Sequence, residues 1–442
     1  MLSVLKRSRL KLRLGLGLFN NNIFNINIIN IQSQWQFSTQ SEAKKADMTT
    51  PKSIACNAID RANDCLREIS LDIWEHPELC FQEHHAHKVL TDFLEQRGFK
   101  VERNYKLETA FRATVSNSGT EVDALNIGVL CEYDALPGLG HACGHNLIAI
   151  MGLSTSLGIQ EALLKSNLQG KLTVIGCPAE EGGGGKIDLI NAGAFSDIDL
   201  AMMAHPSQHN VPKPVYVAMA QVNVTFKGKA SHASSYPWEG INALDAAVLC
   251  YQNISCMRQQ LKPTWRVHGV ITNGGEKPNI IPDKSELLYY IRAPCLAELK
   301  ELQRKLTGCF EGAALATGCS VNYEFDSKCY DSLQSNPVLA DLYVANGETL
   351  GIEYETDVDR LLKPGGSTDM GNVSKVVPSI HPKYSLNTTA SLHTTEFRDL
   401  VKTEASHKIT LLHAKALACA AIDVYQDTRL LGKIKESFQS AD

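Results

Sequence analysis

The sequence lacks several features that mark other classes of protein. It has no uninterrupted apolar run long enough to span a membrane, because asparagines break the longest N-terminal run, residues 14–31. Its 13 cysteines are scattered, odd in number and without the short, regular spacing of a secreted disulfide scaffold. We therefore expect no membrane partner, and a reducing compartment in which most cysteines are small buried apolar residues.

An excess of basic residues is also missing. Five of the 43 Lys and Arg residues lie in residues 1–41, which contain no Asp or Glu. The rest of the chain therefore contains 38 basic and 48 acidic residues. This acidic balance argues against a nucleic-acid partner. The basic, acid-free N-terminal segment is typical of a mitochondrial transit peptide, and we predict a mitochondrial location. A disordered tail without a targeting function, on a cytoplasmic protein, is the alternative.

The chain of 442 residues is longer than one ordinary hydrophobic core needs, so we expect two domains. Patterns of strand, loop and helix alternate over residues 49–213 and again over 329–432, which predicts one α/β domain with a mainly parallel sheet. Residues 214–328 predict an inserted α+β unit of the ferredoxin-like type with an antiparallel sheet. We assign residues 1–48 to a targeting or disordered segment and residues 433–442 to a tail.

Four short segments, far apart in the chain, carry side chains that suit a divalent metal ion. Residues 141–145, 178–182, 203–206 and 392–397 together supply a thiol, several imidazoles and adjacent carboxylates. The first three segments directly follow predicted strands, where polar chemistry collects in α/β proteins. This set of donors predicts a site for one or two Zn²⁺ ions, with Mn²⁺ or Co²⁺ as alternatives.

The first segment places Cys143 two residues before His145, beside glycines that free the backbone. An irregular turn can direct both side chains to one point, which a regular helix cannot do. A thiolate and a neutral imidazole are both good zinc ligands. The alternative is a buried cysteine beside a histidine that caps a helix. His141 is either a further ligand or a group that orients one, and we favour the orienting role.

The second segment contains the adjacent carboxylates Glu180 and Glu181, which follow an apolar strand and precede Gly182–Gly185. Adjacent carboxylates repel each other unless a cation lies between them. We predict that one glutamate binds the metal and the other accepts a proton from water; a solvated charge pair is the alternative. A purely structural zinc needs only a closed set of ligands, so the extra glutamate favours a metallohydrolase.

Three further positions are ambiguous when each is taken alone. His205 and His393 could be ordinary core or surface histidines, and their weight comes from convergence with the other segments. Asp134 follows a predicted buried strand, where it could orient a ligand histidine or simply cap the next turn. The loop Gly365–Ser367 could hold an anion through its amides, and a plain turn is equally compatible with it.

Taken together in their order, these motifs resemble the M20 metallopeptidases, in particular the amidohydrolase-like branch whose motif places cysteine between histidines. The similarity runs from about residue 53 to residue 430. Two departures from the family pattern are Asn146, where many amidohydrolases have Asp, and Glu132, where the two-zinc members have His. The motifs that carry the resemblance are His76–Leu79, Asp134–Pro137, His141–His145, Pro178–Gly182, His232–Ser234, Pro278–Pro282 and His393–Thr394.

The resemblance implies a zinc-peptidase-like catalytic domain and an inserted lid through which two copies form a homodimer. It assigns the role of general base to Glu180. His232 is similar to the lid histidine that enters the site of the partner subunit and polarises the scissile carbonyl. The loop Gly365, Gly366 and Ser367 would hold the substrate carboxylate together with Arg292, and Asn279 is similar to a second lid residue that contacts substrate. The implied metal ligands are Cys143, His145, Glu181, His205 and His393.

The implied reaction is hydrolysis of a peptide or amide bond. Residues 140–149 and 367–374 are most similar to family members that cleave dipeptides with a C-terminal Arg or Lys, including β-alanyl-lysine. The predicted partner is therefore a small dipeptide or an acyl-amino acid. The alternatives are an N-acyl-amino-acid or aminobenzoyl-glutamate amidohydrolase, a catalytically silent binding protein, and a cysteine hydrolase that uses Cys143 with His145.

Overall fold

The computed structural model describes residues 49–117 and 124–440, so the predicted targeting segment lies outside the described residues. The helices are α1 (Pro51–Arg61), α2 (Asn63–Glu75), α3 (His84–Gln96), α4 (His145–Lys165), α5 (Gly185–Asn191), α6 (Ala243–Met257), α7 (Leu296–Thr317), α8 (Pro337–Thr349), α9 (Val358–Leu361), α10 (Met370–Val373), α11 (Thr395–Leu400), α12 (Glu404–Gln426) and α13 (Thr428–Gln439). The strands are β1 (Lys100–Arg103), β2 (Phe111–Asn117), β3 (Asn126–Glu132), β4 (Gly170–Cys177), β5 (Leu200–Met202), β6 (His205–Ser207), β7 (Ala218–Lys227), β8 (Arg266–Asn273), β9 (Lys284–Ala293), β10 (Ser320–Phe325), β11 (Ser379–Ile380) and β12 (Lys383–Ser385).

Six strands form the main sheet in the order β1–β2–β4–β3–β5–β11. The strands β4, β3, β5 and β11 are parallel, whereas β1 and β2 are antiparallel additions at one edge. Every residue of β3 is buried, and α4 packs against this strand. A strand covered on both faces is expected to be apolar throughout. The predicted α/β architecture with a mainly parallel sheet is confirmed.

The second sheet is antiparallel, with the order β10–β7–β9–β8, and α6 and α7 pack against it. Buried and more exposed residues alternate along β9, as expected for a sheet with one covered face. The chain order strand–helix–strand–strand–helix–strand, combined with this strand order, is the ferredoxin-like arrangement. All of these elements lie within residues 218–325 and enclose a separate hydrophobic cluster.

The strands β3, β4 and β5 end at the same edge of the main sheet because they are parallel. Asp134, Glu180 and His205 follow these three strands within three residues. Ligands collect at such an edge of an open α/β sheet. A short parallel ladder of β6 and β12 lies beside it and sets His205 opposite Lys383.

The helix α4 is apolar on every side and lies in the centre of the protein. Among the described residues it is the one helix long and apolar enough to cross a membrane, and 89% of its apolar window is buried inside the protein. It packs against α1, α12 and β3, which accounts for its apolar surface.

Several short elements are not predicted by the sequence patterns. The helices α5, α9 and α10 and the strands β11 and β12 contain between two and seven residues. So few residues show no clear periodicity, because one helical turn already needs 3.6 residues. Residues 433–442, predicted as a tail, lie largely in α13.

Candidate active site

The backbone around Gly144 brings Cys143 and His145 to the same side of the turn before α4. Gly144 has φ 85°, and a Cβ atom there would lie 2.6 Å from Cγ of Pro206. Only glycine adopts this left-handed conformation without strain and leaves this space free. Cys143 precedes the turn, and His145 is the first residue of α4. The irregular turn that the sequence predicts is therefore present.

Two histidines from distant segments approach the thiol of Cys143. The distance from Cys143 Sγ is 3.5 Å to His205 Nε2 and 3.4 Å to His393 Nε2. His393 has a positive φ of 64°, and its N–H donates to the carbonyl of Ala142 at 2.9 Å. This backbone bond fixes the C-terminal segment against the Cys143 turn. Strained backbone of this kind is concentrated at functional sites.

Glu181 joins the same cluster from the end of β4. Its Oε1 lies 3.8 Å from His145 Nε2 and 3.4 Å from His393 Nε2. Both His145 Nε2 and Glu181 Oε1 are buried and have no hydrogen-bond partner. Buried polar atoms are normally paired, so two unpaired atoms that face each other indicate a missing ligand.

The distances within this cluster fit a shared metal ion. With Zn–S near 2.3 Å and Zn–N near 2.1 Å, neighbouring donors around a tetrahedral ion lie about 3.4 to 3.6 Å apart. The separations of 3.4 and 3.5 Å from Cys143 Sγ fall in this range, and the 3.8 Å between Glu181 Oε1 and His145 Nε2 lies slightly above it. One thiol, three imidazoles and one carboxylate are also donors that zinc accepts. The five predicted ligands lie in two overlapping groups, Cys143–His145–His205 and Cys143–Glu181–His393, each of which could hold a metal ion.

Asp134 lies behind His145, on the side away from the cluster. The carboxylate can only accept, so His145 Nδ1–H donates to Asp134 Oδ1 at 3.0 Å and leaves Nε2, once it is deprotonated, to bind a metal ion. Asp134 Oδ2 accepts the N–H of Glu181 at 2.9 Å. Burial tends to raise the pKa of Asp134, but the positive charge of His145 and these hydrogen bonds lower it below its usual value. Asp134 therefore contacts two of the candidate ligands, His145 and Glu181.

The environment of His205 and Cys143 bears on their protonation. Burial, followed by the positive charge of His145, lowers the pKa of His205 to about 3, so its imidazole is neutral at physiological pH. His205 Nδ1 lies 2.7 Å from the carbonyl of Pro206, which leaves Nε2 free toward Cys143. Burial and the charge of Glu181 raise the pKa of Cys143 well above its ordinary value. A thiolate there requires a nearby cation, which disfavours the cysteine-hydrolase alternative.

Glu180 occupies the floor of the pocket beside Glu181. The preceding residue, Ala179, has a positive φ of 58°. The carbonyl oxygen of Glu180 accepts a hydrogen bond from the hydroxyl of Tyr330 at 2.6 Å. Burial, together with the negative charges of Glu132, Glu181 and Asp369, raises the pKa of Glu180 well above that of a free glutamate. A carboxylate with a raised pKa is suited to accept a proton and release it again.

A pocket of about 480 Å³ lies between the main sheet and the second sheet, and all of the candidate ligands except His145 line it, together with Glu180 but not Asp134. Arg292, on β9, donates from its guanidinium to Ser367 Oγ at 2.8 Å, and Ser367 in turn donates to the carbonyl of Val217. The predicted substrate residues Gly365, Gly366, Ser367 and Arg292 therefore share this pocket. Its other lining residues are Leu136, Cys143, Glu180, Glu181, Gly182, His205, Tyr216, Met219, Tyr290, Tyr330, Thr368, Lys383, Leu392 and His393.

Three further residues considered from the sequence have side chains that neither line the pocket nor form a hydrogen bond to a candidate ligand. His232 and Asn279 are exposed, and their two backbone segments pair with each other in the second sheet's unit, where Ala233 N–H donates to the carbonyl of Asn279 at 3.1 Å. His141 is buried but belongs to none of the metal-donor groups found among the described residues.

The structure adds residues that the sequence motifs do not single out. Lys186 is fully buried and pairs with Glu132 and Asp369, and Lys383 lies in the pocket with its ammonium 4.6 Å from the ring centre of Tyr216. A lysine directly after four glycines is an ordinary surface residue in most sequences, so no local pattern marks Lys186. Lys383 can be assigned to the site only from the structure, in which it pairs with His205 in the β6–β12 ladder.

The chain is similar to known peptidases in sequence and in fold. Residues 218–317 match a family model described as a peptidase dimerisation domain. The Xaa-Arg dipeptidases of Homo sapiens and Mus musculus are 47% and 48% identical to the chain, and each alignment covers 89% of this chain and 93% of the relative. A dinuclear metal binding peptidase of the M20 family from Bacillus subtilis has a similar fold, with a TM-score of 0.62 at 20% identity over 82% of this chain and 99% of that one.

Proposed function

The chain belongs to the M20 peptidase family, and from this membership we propose that it is a metal-dependent dipeptidase that cleaves dipeptides with a C-terminal Arg or Lys. The observation that carries the proposal is the convergence of five donors from four distant segments beside a further buried glutamate, Glu180. The 47% identity to the human Xaa-Arg dipeptidase supports the substrate class.

Cys143, His145, Glu181, His205 and His393 would hold the ion, for which we propose Zn²⁺. When bound, this ion supplies a Lewis acid that polarises the scissile carbonyl and lowers the pKa of water. Glu180 takes one proton from the attacking water and delivers it to the nitrogen of the leaving amino acid. Asp134 keeps His145 in the required tautomer throughout, because its carboxylate accepts the Nδ1 proton.

The substrate carboxylate would lie near Arg292 at the second-sheet side of the pocket. Among the described residues, Arg292 has no carboxylate partner, and its recorded hydrogen bond goes to Ser367. Lys383 likewise shows no ion pair in this part of the chain, and burial lowers its pKa to about 8. Two cations without anionic partners in one pocket favour a ligand that carries a carboxylate, which a dipeptide supplies.

We also propose that the protein acts as a homodimer, because residues 218–317 match a dimerisation domain. His232 Nδ1 accepts the N–H groups of Ser234 and Ser235 at 3.3 and 3.2 Å. The proton of its ring therefore lies on Nε2, which makes the exposed edge a hydrogen-bond donor suited to the carbonyl oxygen in the partner's site. The proposed mitochondrial location rests on the composition of residues 1–41 alone.

Replacement of Glu180 by Gln tests the proposed role directly. The variant should lose at least about 1,000-fold in kcat on β-alanyl-lysine while its bound metal, measured by mass spectrometry, stays at the wild-type level. Most of the activity surviving in Glu180→Gln would show that another residue is the base. A parallel panel of Xaa-Arg dipeptides, N-acyl amino acids and aminobenzoyl-glutamate separates the dipeptidase from the amidohydrolase alternative.

A further inference from the structure

A second cluster of acidic groups lies directly behind the proposed metal ligands. Carboxylate oxygens of Glu132, Glu180 and Asp369 lie within 4.8 Å of one another, an arrangement that could itself hold a metal ion. Glu132 and Asp369 are both 0% exposed, and Glu180 is 9% exposed. Three carboxylates so close together and so well buried require a positive charge nearby.

Lys186 supplies a positive charge at this point. Its Nζ lies 2.5 Å from Glu132 Oε1 and 2.6 Å from Asp369 Oδ1, and its side chain is 0% exposed. Its backbone N–H also donates to Asp369 Oδ2 at 2.9 Å, so one residue binds both oxygens of that carboxylate. Lys186 starts from the first turn of α5, directly after the four glycines, and this backbone position fixes where its ammonium can lie.

The orientation of Glu132 connects this cluster to the metal centre. Lys186 holds Oε1 of Glu132, whereas Oε2 is buried, has no hydrogen-bond partner and lies 3.7 Å from His145 Nε2. A purely structural ion pair would be expected to satisfy both oxygens of a buried carboxylate. Here the second oxygen is instead turned toward the ligand side of His145.

We propose that Lys186 is a built-in cation of the catalytic centre, which fills the position between Glu132 and Asp369 that a further divalent ion would otherwise take. Lys186 is then a positioning residue: it excludes metal from the Glu132–Glu180–Asp369 group and holds Glu132 with one oxygen toward the proposed metal site. This inference rests on the proposed metal-dependent function, because it states which group of carboxylates the metal does not occupy.

The test counts metal ions on the full chain, with Mn²⁺ as the probe because it prefers carboxylate oxygens. Wild type and Lys186→Ala are saturated with Mn²⁺, passed through a desalting column and analysed by mass spectrometry and calorimetric titration. We expect Lys186→Ala to bind one Mn²⁺ more per chain than wild type, and its Tm to rise more on addition of Mn²⁺. A folded Lys186→Ala with an unchanged ion count and an unchanged Mn²⁺ response would overturn the proposal.

A matched control removes a lysine that pairs with a carboxylate far from the site. Lys415 Nζ lies 2.6 Å from Asp60 Oδ1, and Lys415→Ala should leave the ion count at the wild-type value. A gain of one ion in Lys415→Ala as well would show that loss of any lysine has this effect, and would also overturn the proposal.

Asp369→Asn gives a second and independent measurement in case Lys186→Ala does not fold. Asparagine has the same shape and can still accept from the ammonium of Lys186, so the fold should survive. We expect the wild-type number of Mn²⁺ ions, because Asp369 binds Lys186 and not metal; loss of one ion would contradict the proposal. A wild-type protein that binds no metal and lacks dipeptidase activity would instead refute the proposed function itself.

Discussion

Replacement of Asp134 by Asn measures how strongly the site depends on the carboxylate behind His145. Asp134 is 1% exposed and uses its two oxygens for two donors, His145 Nδ1–H at 3.0 Å and the N–H of Glu181 at 2.9 Å. Asparagine fits the same space but has one carbonyl oxygen, so its NH₂ must face one of these donors. One candidate ligand is left unsupported, and the negative charge that favours the Nδ1 proton is lost.

Removal of such an outer partner typically weakens metal binding by about 10- to 100-fold. That range corresponds to about 1.4 to 2.7 kcal/mol of binding free energy. The assay is competition for Zn²⁺ between the protein and a fluorescent chelator, which reports Kd without reference to turnover.

Asp197→Asn is the control, because Asp197 also accepts from two side chains, Arg112 at 2.5 Å and Lys171 at 3.0 Å, and belongs to none of the metal-donor groups found among the described residues. We expect its Zn²⁺ affinity to stay within about twofold of wild type. An Asp134→Asn protein that binds Zn²⁺ as tightly as Asp197→Asn would refute the reasoning, since the carboxylate would then contribute nothing to the metal site.

Three further outcomes follow from individual contacts. Gly144→Ala places a Cβ 2.6 Å from Pro206 in a residue with φ 85°, and this variant should lose metal binding. Gly138→Ala is the control, because Gly138 has φ 71° but no atom lies within 4 Å of the added Cβ. It should keep the metal and lower the free energy of unfolding in urea by only about 1 to 2 kcal/mol. Arg292→Gln should raise KM for β-alanyl-lysine at least about tenfold with a smaller change in kcat, and the increase should disappear for a substrate with an amidated C-terminus. Burial lowers the pKa of His413 to about 3 in the folded state, against about 6.5 unfolded. Below about pH 6.5 the unfolded chain therefore binds a proton that the folded chain does not, so the free energy of unfolding decreases as the pH falls. His413→Asn should reduce this loss of stability between pH 7 and pH 5 by about 2 kcal/mol.

The pattern of the sequence predicts the architecture well where elements are long. The apolar stretches that become β3, β4 and α4 are buried on all sides, so their composition alone indicates a covered parallel sheet and a central helix. The alternation along β9 likewise indicates a sheet with one covered face. Short elements such as β12 are fixed by pairing with a distant segment, and this information is not local in the sequence.

Cys143, His145 and Glu181 could be found from the sequence because their chemical identity is unusual in its context, whereas His205 and His393 gain weight only from convergence with the other segments. A cysteine two residues from a histidine, and two adjacent glutamates after an apolar strand, both stand out without any structure. The role predicted for His232 rests on the resemblance alone, because its side chain is exposed and does not line the pocket of its own chain.

Lys186 illustrates the opposite case, in which composition misleads. Lysines are almost never fully buried without a partner, so a lysine at the start of a short helix is expected in solvent. Its burial depends on Glu132 at the end of β3 and Asp369 before α10, which are 54 and 183 residues away in the chain. Neither acidic residue predicts the pairing by itself, because the position of α5 over the edge of the sheet decides it. Charge compensation in a buried site is thus a property of the assembled fold.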